Sequence, residues 1–359
     1  MKQNLPILTG LRFIAAFYVF IFHVNLRESL DFLGKPAVFI ISQGAVGVNI
    51  FFILSGFILF YNYHDRKMNA MEFILKRIAK IYPVYLAGFF ICLAVVSLAK
   101  IEVIDFSKVL GLNFFMLQSY FPKYSMQWYG SGSWSISTEF FFYLIFPLLM
   151  PAILKLKRKK LIIAIFVCYV FSIIPGILFN LKVISFEISY TFPPSRIWEF
   201  IIGILIACLC LKYSFTVKSK LIYFLFGISV VTFILVGRLT AGYVILNIAV
   251  VPVMAIILIN VLTTGKNILS LLGTSIMEYL GKISYSFYIF QIPIMIFLDA
   301  KVDFFSNYSG YVSFIILFFI NLCGAIVLFH IVERPFHKFL NQRIKKLFSK
   351  KNKYNDQIS

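Results

Sequence analysis

The sequence predicts an all-α, polytopic integral membrane protein, a helical bundle of about ten transmembrane helices with both termini in the cytoplasm. Three observations carry this reading. Of 359 residues, 61% are hydrophobic and 13% charged, with a mean hydropathy of +0.91. A soluble chain carries roughly 25% charged residues, so this chain has too few to cover a water-facing surface. The 43 Phe and 20 Tyr suit lipid-facing helices and the aromatic belts at membrane interfaces. Finally, apolar runs of the ~20 residues that a bilayer core demands recur from one end to the other.

Those runs fall near residues 6–26, 44–63, 82–99, 134–154, 161–180, 197–211, 221–237, 241–262, 283–298 and 309–330. The first resembles a signal peptide in position, but its length, its internal Arg12 and His23, and the lack of a small-residue cleavage site favour a retained span. The stretch 106–121 is apolar but short and broken, and reads as a re-entrant or interfacial piece. No internal repeat is visible. Residues 1–340 read as one membrane-embedded domain and 341–359 as a basic cytoplasmic tail.

With the N-terminus inside, the inner segments hold 24 Lys and Arg and the outer loops nine. That asymmetry is the positive-inside pattern for an even number of spans. The formal charge of +20 is thus assigned to cytoplasmic loops and anionic head groups. The expected partner is the lipid bilayer, with no nucleic acid, because no soluble domain gathers the basic residues. The run Lys155–Lys160 belongs to this class. All five cysteines lie in apolar stretches, and Cys208 and Cys210 diverge by about 200° on a helix. They read as packing residues, with neither disulfides nor a metal site expected.

Ionisable groups inside spans are expensive and mark candidate sites. Arg12 and His23 are eleven residues apart on the first helix, which returns them to one face within about 20° and separates them by ~16 Å along the axis. Two readings stand: a functional polar stripe, or an Arg that snorkels to the head groups beside a His that bonds a neighbouring helix. Glu139, in the run Trp134-Ser135-Ile136-Ser137-Thr138-Glu139, is expected to enter from the outer side at the depth of His23. There it would orient the imidazole as a base; a packing ion pair is the alternative. Lys76, Arg77 and Lys80 form one cationic turn suited to phosphate, although orientation bias alone also produces such clusters. Asn49 is a weaker candidate for the outer end of a cavity, and Ser55 and Gly56 read as packing residues. Arg196 and Glu199 sit three apart and either pair with each other or meet substrate. Glu333 and Arg334 read as structural ion pairs at the inner surface.

Taken together these residues resemble the bacterial acyltransferase-3 family of membrane O-acyltransferases. Arg12-x10-His23 is similar to the family's first-helix motif, and Gly47-Val48-Asn49 with Phe51 to Phe57 to that of its second helix. Trp134 to Glu139 with Tyr143 to Pro147, Arg196 with Trp198 to Phe200 and Gly203, Ser284-Tyr285, and Val332 to Phe336 follow in order. The resemblance covers about residues 5 to 340. Two departures stand out: Lys80 where the family often has Arg, and Gln291 where it often has His, so no catalytic role is carried to Gln291.

The resemblance implies an enzyme of the bacterial cytoplasmic membrane. It would take an acyl group, usually acetyl, from cytoplasmic acetyl-CoA or another acyl-CoA to a hydroxyl of a surface polysaccharide or lipid-linked glycan. O-antigen, capsule and exopolysaccharide are the expected acceptors. His23, Glu139 and Arg12 would be catalytic, Lys76, Arg77 and Lys80 would hold the donor, and Asn49, Trp134, Ser135, Ser137, Arg196 and Glu199 would contact substrate. The alternative is a transporter or flippase for a glycan or lipid-linked sugar, with the same polar residues as its path; such proteins often carry two similar halves, which this sequence lacks.

Overall fold

The computed structural model describes residues 5–66, 68–217, 219–263, 268–302 and 309–356. Among these the chain is helical, with no β-strand. The helices are α1 (Pro6–Asn25), α2 (Lys35–Ser42), α3 (Gly47–Tyr63), α4 (Ala70–Ala99), α5 (Phe106–Phe114), α6 (Pro122–Ser125), α7 (Gly130–Leu154), α8 (Arg158–Asn180), α9 (Phe186–Tyr190), α10 (Pro193–Tyr213), α11 (Ser219–Leu239), α12 (Asn247–Thr263), α13 (Ser275–Val302), α14 (Gly310–Leu328) and α15 (Arg334–Asp356).

Among the described residues nine helices are long and apolar enough to cross a membrane, and α12 is a shorter apolar helix. The chain is therefore a multi-pass membrane protein. The run 241–262 loses its first residues because 240–246 form a loop, so the eighth predicted span starts only at Asn247. Residues 341–356 of the basic tail are not separate from the last span. They continue it through a π-helical turn at Phe329–Glu333 into α15, which packs against α4.

Local sequence explains the ends. Pro6 opens α1 at a position where its missing N–H has no intrahelical partner. Asn69 caps α4 by accepting the Glu72 N–H at 3.1 Å. α4 starts twelve residues before the expected span, so its cationic turn lies within the helix. Prolines at 83, 147, 151, 175, 252 and 293 stand inside helices. Neighbouring helices and local adjustments of the ladder make that tolerable in a membrane bundle.

Burial sorts the bundle into centre and rim. In the apolar windows of α10 and α13 67% of residues are buried, against 6% in α11, so α11 lies on the outside of the bundle. The α3–α10 contact is close because of two glycines. A Cβ on Gly56 would fall on the Phe200 carbonyl, and one on Gly203 on the Ile53 carbonyl. This is the small-residue packing expected between membrane helices.

The stretch 106–121 caps the bundle as α5 and a 3-10 turn. Gln118 donates to Tyr85 Oη at 3.1 Å and Ser119 Oγ to the Trp134 carbonyl at 2.6 Å. A surface clasp closes this cap. Tyr124 and Lys123 donate to Asp105 at 2.8 and 3.1 Å and hold its carboxyl below the usual carboxylate range.

Candidate active site

α7 shows how the chain builds a site at the bundle centre. Ser135, Glu139 and Tyr143 recur every four residues and so share one face, and all three line a cavity of about 700 Å³. The other faces of the same turns are used for packing. Ser137 Oγ donates to the Met116 carbonyl at 2.6 Å, Thr138 to the Thr191 carbonyl at 2.9 Å, and Trp134 packs on Tyr190 with centroids 4.6 Å apart.

Arg12 from α1 and Arg77 and Lys80 from α4 enter this lower cavity beside Glu139, with Ser55, Tyr285 and Tyr288 among the other lining groups. Three cations thus face one lining carboxylate. Glu139 is held by neutral donors, Ser55 Oγ at 2.8 Å and Tyr143 Oη at 2.6 Å, both on the same oxygen. Arg77 donates to Tyr63 Oη at 3.3 Å and lies over the Tyr63 and Phe73 rings at 5.8 and 5.7 Å. Glu333, buried in the π-helical turn, accepts from Ser286 Oγ at 2.7 Å and is close enough to Lys80 and Arg12 to act on their charge. A π turn is a recurrent feature of functional positions. A third cavity, of about 550 Å³, shares Arg12 and Ile58 with the lower one and opens toward the start of α1 through Tyr61 and Asn62.

His23 lines a separate upper cavity of about 780 Å³ near the C-terminal end of α1, with Arg27, Ser131, Trp134, Tyr190, Tyr243 and Tyr288 on its walls. Val48 and Tyr288 are the residues common to the upper and lower cavities. On α1, Arg12 lines the lower cavity and His23 the upper one.

Several expectations are corrected. Glu139 does not meet His23; it bonds Ser55 and Tyr143 in the lower cavity. The reason is helix register. α7 begins at Gly130, so Glu139 sits nine residues into it, about 13 Å from its start. The polar neighbours of His23 are Arg27 and Gln291. Gln291, given no role from sequence, is wholly buried beside the ring. Lys76 does not line the cavity with Arg77 and Lys80; it pairs with Glu72, one turn earlier.

Asn49, Arg196 and Glu199 belong to a different structure. All three are fully buried and border none of the three cavities. Arg196 donates to Glu199 at 2.9 Å, to the Tyr190 carbonyl at 2.7 Å and to Asn49 Oδ1 at 2.6 Å. Asn49 donates to Asn247 Oδ1 at 2.9 Å, and Asn247 donates to Glu199 Oε1 at 3.0 Å. The guanidinium also lies 5.1 to 5.8 Å from the Phe52, Tyr190 and Trp134 ring centres. This is a clamp between helices, and Ser137 likewise pins the cap. Asn247, its fourth member, carried no sequence signal.

No group of three or more His, Cys, Asp or Glu side chains is arranged to hold a metal among the described residues. The site instead offers an imidazole in an aromatic-walled cavity, and a cationic cavity beneath it.

Comparison with known proteins identifies the family. The acyltransferase-3 profile, described as an acyltransferase domain, matches residues 5–330. The chain is 32% identical over 225 residues to the acyltransferase MdmB of Streptomyces mycarofaciens, covering 57% of each chain. It is 23% identical over 329 residues to the O-acetyltransferase OatA of Staphylococcus aureus, covering 83% of this chain and 52% of that one. It is 30% identical over 262 residues to the exopolysaccharide production protein ExoZ of Rhizobium meliloti, covering 69% and 75%. The chain thus spans just over half the length of the first two relatives. No solved structure matches. The profile covers nearly the whole chain and runs through every residue of the three cavities, so the chain belongs to the acyltransferase-3 family of membrane proteins.

Proposed function

We propose that the protein is a membrane O-acyltransferase that moves an acyl group, most simply acetyl, from cytoplasmic acyl-CoA to a hydroxyl of a surface polysaccharide or lipid-linked sugar. The observation that carries this is the series of cavities from Arg12 to His23, cationic at one end and aromatic at the other. A cytoplasmic donor and an outer acceptor require such a series. The names of the relatives, an O-acetyltransferase and an exopolysaccharide production protein, support acetyl as the group and polysaccharide as the acceptor class. The membrane is the bacterial cytoplasmic membrane, with both termini inside.

In this mechanism Arg12, Arg77 and Lys80 hold the phosphates of the donor, the guanidinium groups as two-pronged donors and Lys80 as a point charge. The pantetheine arm carries the thioester upward to His23. The acceptor oxygen attacks the carbonyl carbon; the C–O bond forms, the C–S bond breaks, His23 takes the hydroxyl proton and returns it to the leaving thiolate. Glu139, seated on Ser55 and Tyr143 in the lower cavity, keeps the like charges of the cationic groups arrayed rather than bracing the imidazole.

Membrane vesicles given radiolabelled acetyl-CoA test the reading. The wild type is expected to leave label covalently on glycan, and His23→Ala to lower that labelling by roughly 10²–10⁴-fold at normal expression. Undiminished labelling by His23→Ala removes His23 as the base. A transporter or flippase leaves no covalent label in either case.

A further inference from the structure

Val48 and Tyr288 line both the lower and the upper cavity and so stand on the border, or partition, between the cationic groups of the one and the imidazole of the other. Both are nearly closed to water, at 2% and 6% exposure. They come from different helices, α3 and α13, and are held in place from behind. Tyr288 Oη hydrogen-bonds Ser135 Oγ at 2.8 Å, and the Tyr288 ring meets Phe51 edge-on with centroids 6.0 Å apart. Val48 is a β-branched residue with restricted rotamers in a helix, so it cannot swing clear as a longer side chain would.

We infer that Val48 and Tyr288 are the specificity determinants of the acyl group: the gap between them admits the tip of the thioester, and its width sets how long an acyl chain can reach His23. The inference rests on the acyltransferase reading above. Its physical basis is steric. A thioester anchored by its phosphates at Arg12, Arg77 and Lys80 has a fixed reach, and its acyl tip must pass the partition to come within range of His23. Arg12 and His23 are ~16 Å apart along α1, and the partition lies between the cavities they line. A methylene that does not fit a close-packed apolar wall is discriminated by 10-fold to 200-fold, so two side chains are enough to separate a two-carbon from a four-carbon acyl group.

The test is a competition between labelled acetyl-CoA and butanoyl-CoA on membrane vesicles, reading the ratio of the two acyl groups retained on glycan. Wild type is expected to favour acetyl. Val48→Ala and Tyr288→Ala each widen the gap and are expected to shift the ratio toward butanoyl by at least about tenfold. Tyr288→Phe keeps the ring and removes only the bond to Ser135, so its ratio is expected to stay near wild type whatever its rate. Val48→Phe fills the gap. It is expected to abolish labelling of glycan while acetyl-CoA still binds the purified protein, since the donor phosphates are held below the partition. Variants are compared only at wild-type yield and melting temperature, and having both alanine variants keeps the test open when one fails to insert. Ratios within twofold of wild type in a folded alanine variant, or full transfer by Val48→Phe, overturn the inference alone. Absence of labelling by wild type overturns the acyltransferase reading and this inference with it.

Discussion

At the scale of single residues, Glu139 is where sequence and structure part. The motif that contains it is visible in the chain, and its position four residues after Ser135 and four before Tyr143 defines the stripe that faces the cavity. What the sequence hides is depth. Gly130 to Ser133 read as loop, since Gly and Ser are poor helix formers, yet in the bundle they form the first turn of α7 and carry Glu139 inward. The consequence is a prediction about pH. Were Glu139 the partner of His23, Glu139→Gln would move the acid limb of the pH–rate profile, because a carboxylate beside an imidazole stabilises its charged form. With Glu139 bonded to Ser55 and Tyr143 instead, Glu139→Gln is expected to leave that limb in place. The loss should fall on kcat/KM for the donor, by about tenfold, the size of one charge-assisted contact of 1.5 kcal/mol. Steady-state kinetics across pH decide the matter. A displaced acid limb returns Glu139 to the imidazole.

At the scale of elements, the buried clamp joins α3, α10 and α12 through Asn49, Arg196, Glu199 and Asn247, and Asn247 extends it to α8 by donating to the Ser172 carbonyl at 3.0 Å. Asn49 and Asn247 are separated by 198 residues, so nothing in local spacing announces their pairing. The Arg196–Glu199 spacing did announce an ion pair, but not that a ring of amides and aromatic faces would enclose it. Broadly, span positions were legible because hydropathy needs no partner. Those groups whose meaning depends on a distant partner were not. The element-level expectation follows from burial. Removing one member of a buried pair leaves a charge without compensation, which costs about 3–5 kcal/mol. Arg196→Ala is therefore expected to lower the melting temperature in detergent and the yield from membranes. Asn49→Leu strips one acceptor from the guanidinium and is expected to cost about 1–3 kcal/mol. A substrate-contact role would show the opposite pattern, normal melting with a raised KM for the acceptor.

At the scale of the whole molecule, the cavities give the bundle a direction. The third cavity opens near the start of α1, the lower one follows at Arg12, and the upper one lies beside His23 near the end of α1. In the proposed orientation, which the excess of Lys and Arg supports, the start of α1 is cytoplasmic, so the cationic groups should be reached from inside and His23 from outside. This arrangement can be read directly by thiol labelling. Cys92, Cys168, Cys208 and Cys210 are buried, and Cys323 is exposed on α14, so a Cys323→Ser background leaves little to react. On that background Ser131→Cys, in the upper cavity, is expected to react with a membrane-impermeant maleimide added to intact cells. Asn62→Cys, in the third cavity, is expected to react only in inverted vesicles. Pre-incubation with acetyl-CoA should protect Asn62→Cys and leave Ser131→Cys accessible, because the donor fills the path from below and Val48 and Tyr288 divide it above. If Asn62→Cys reacts from outside, the orientation is reversed and the donor could not be cytoplasmic. If both positions react from both sides, the cavities join into an open channel, a geometry that suits a transporter and cannot keep water from a thioester.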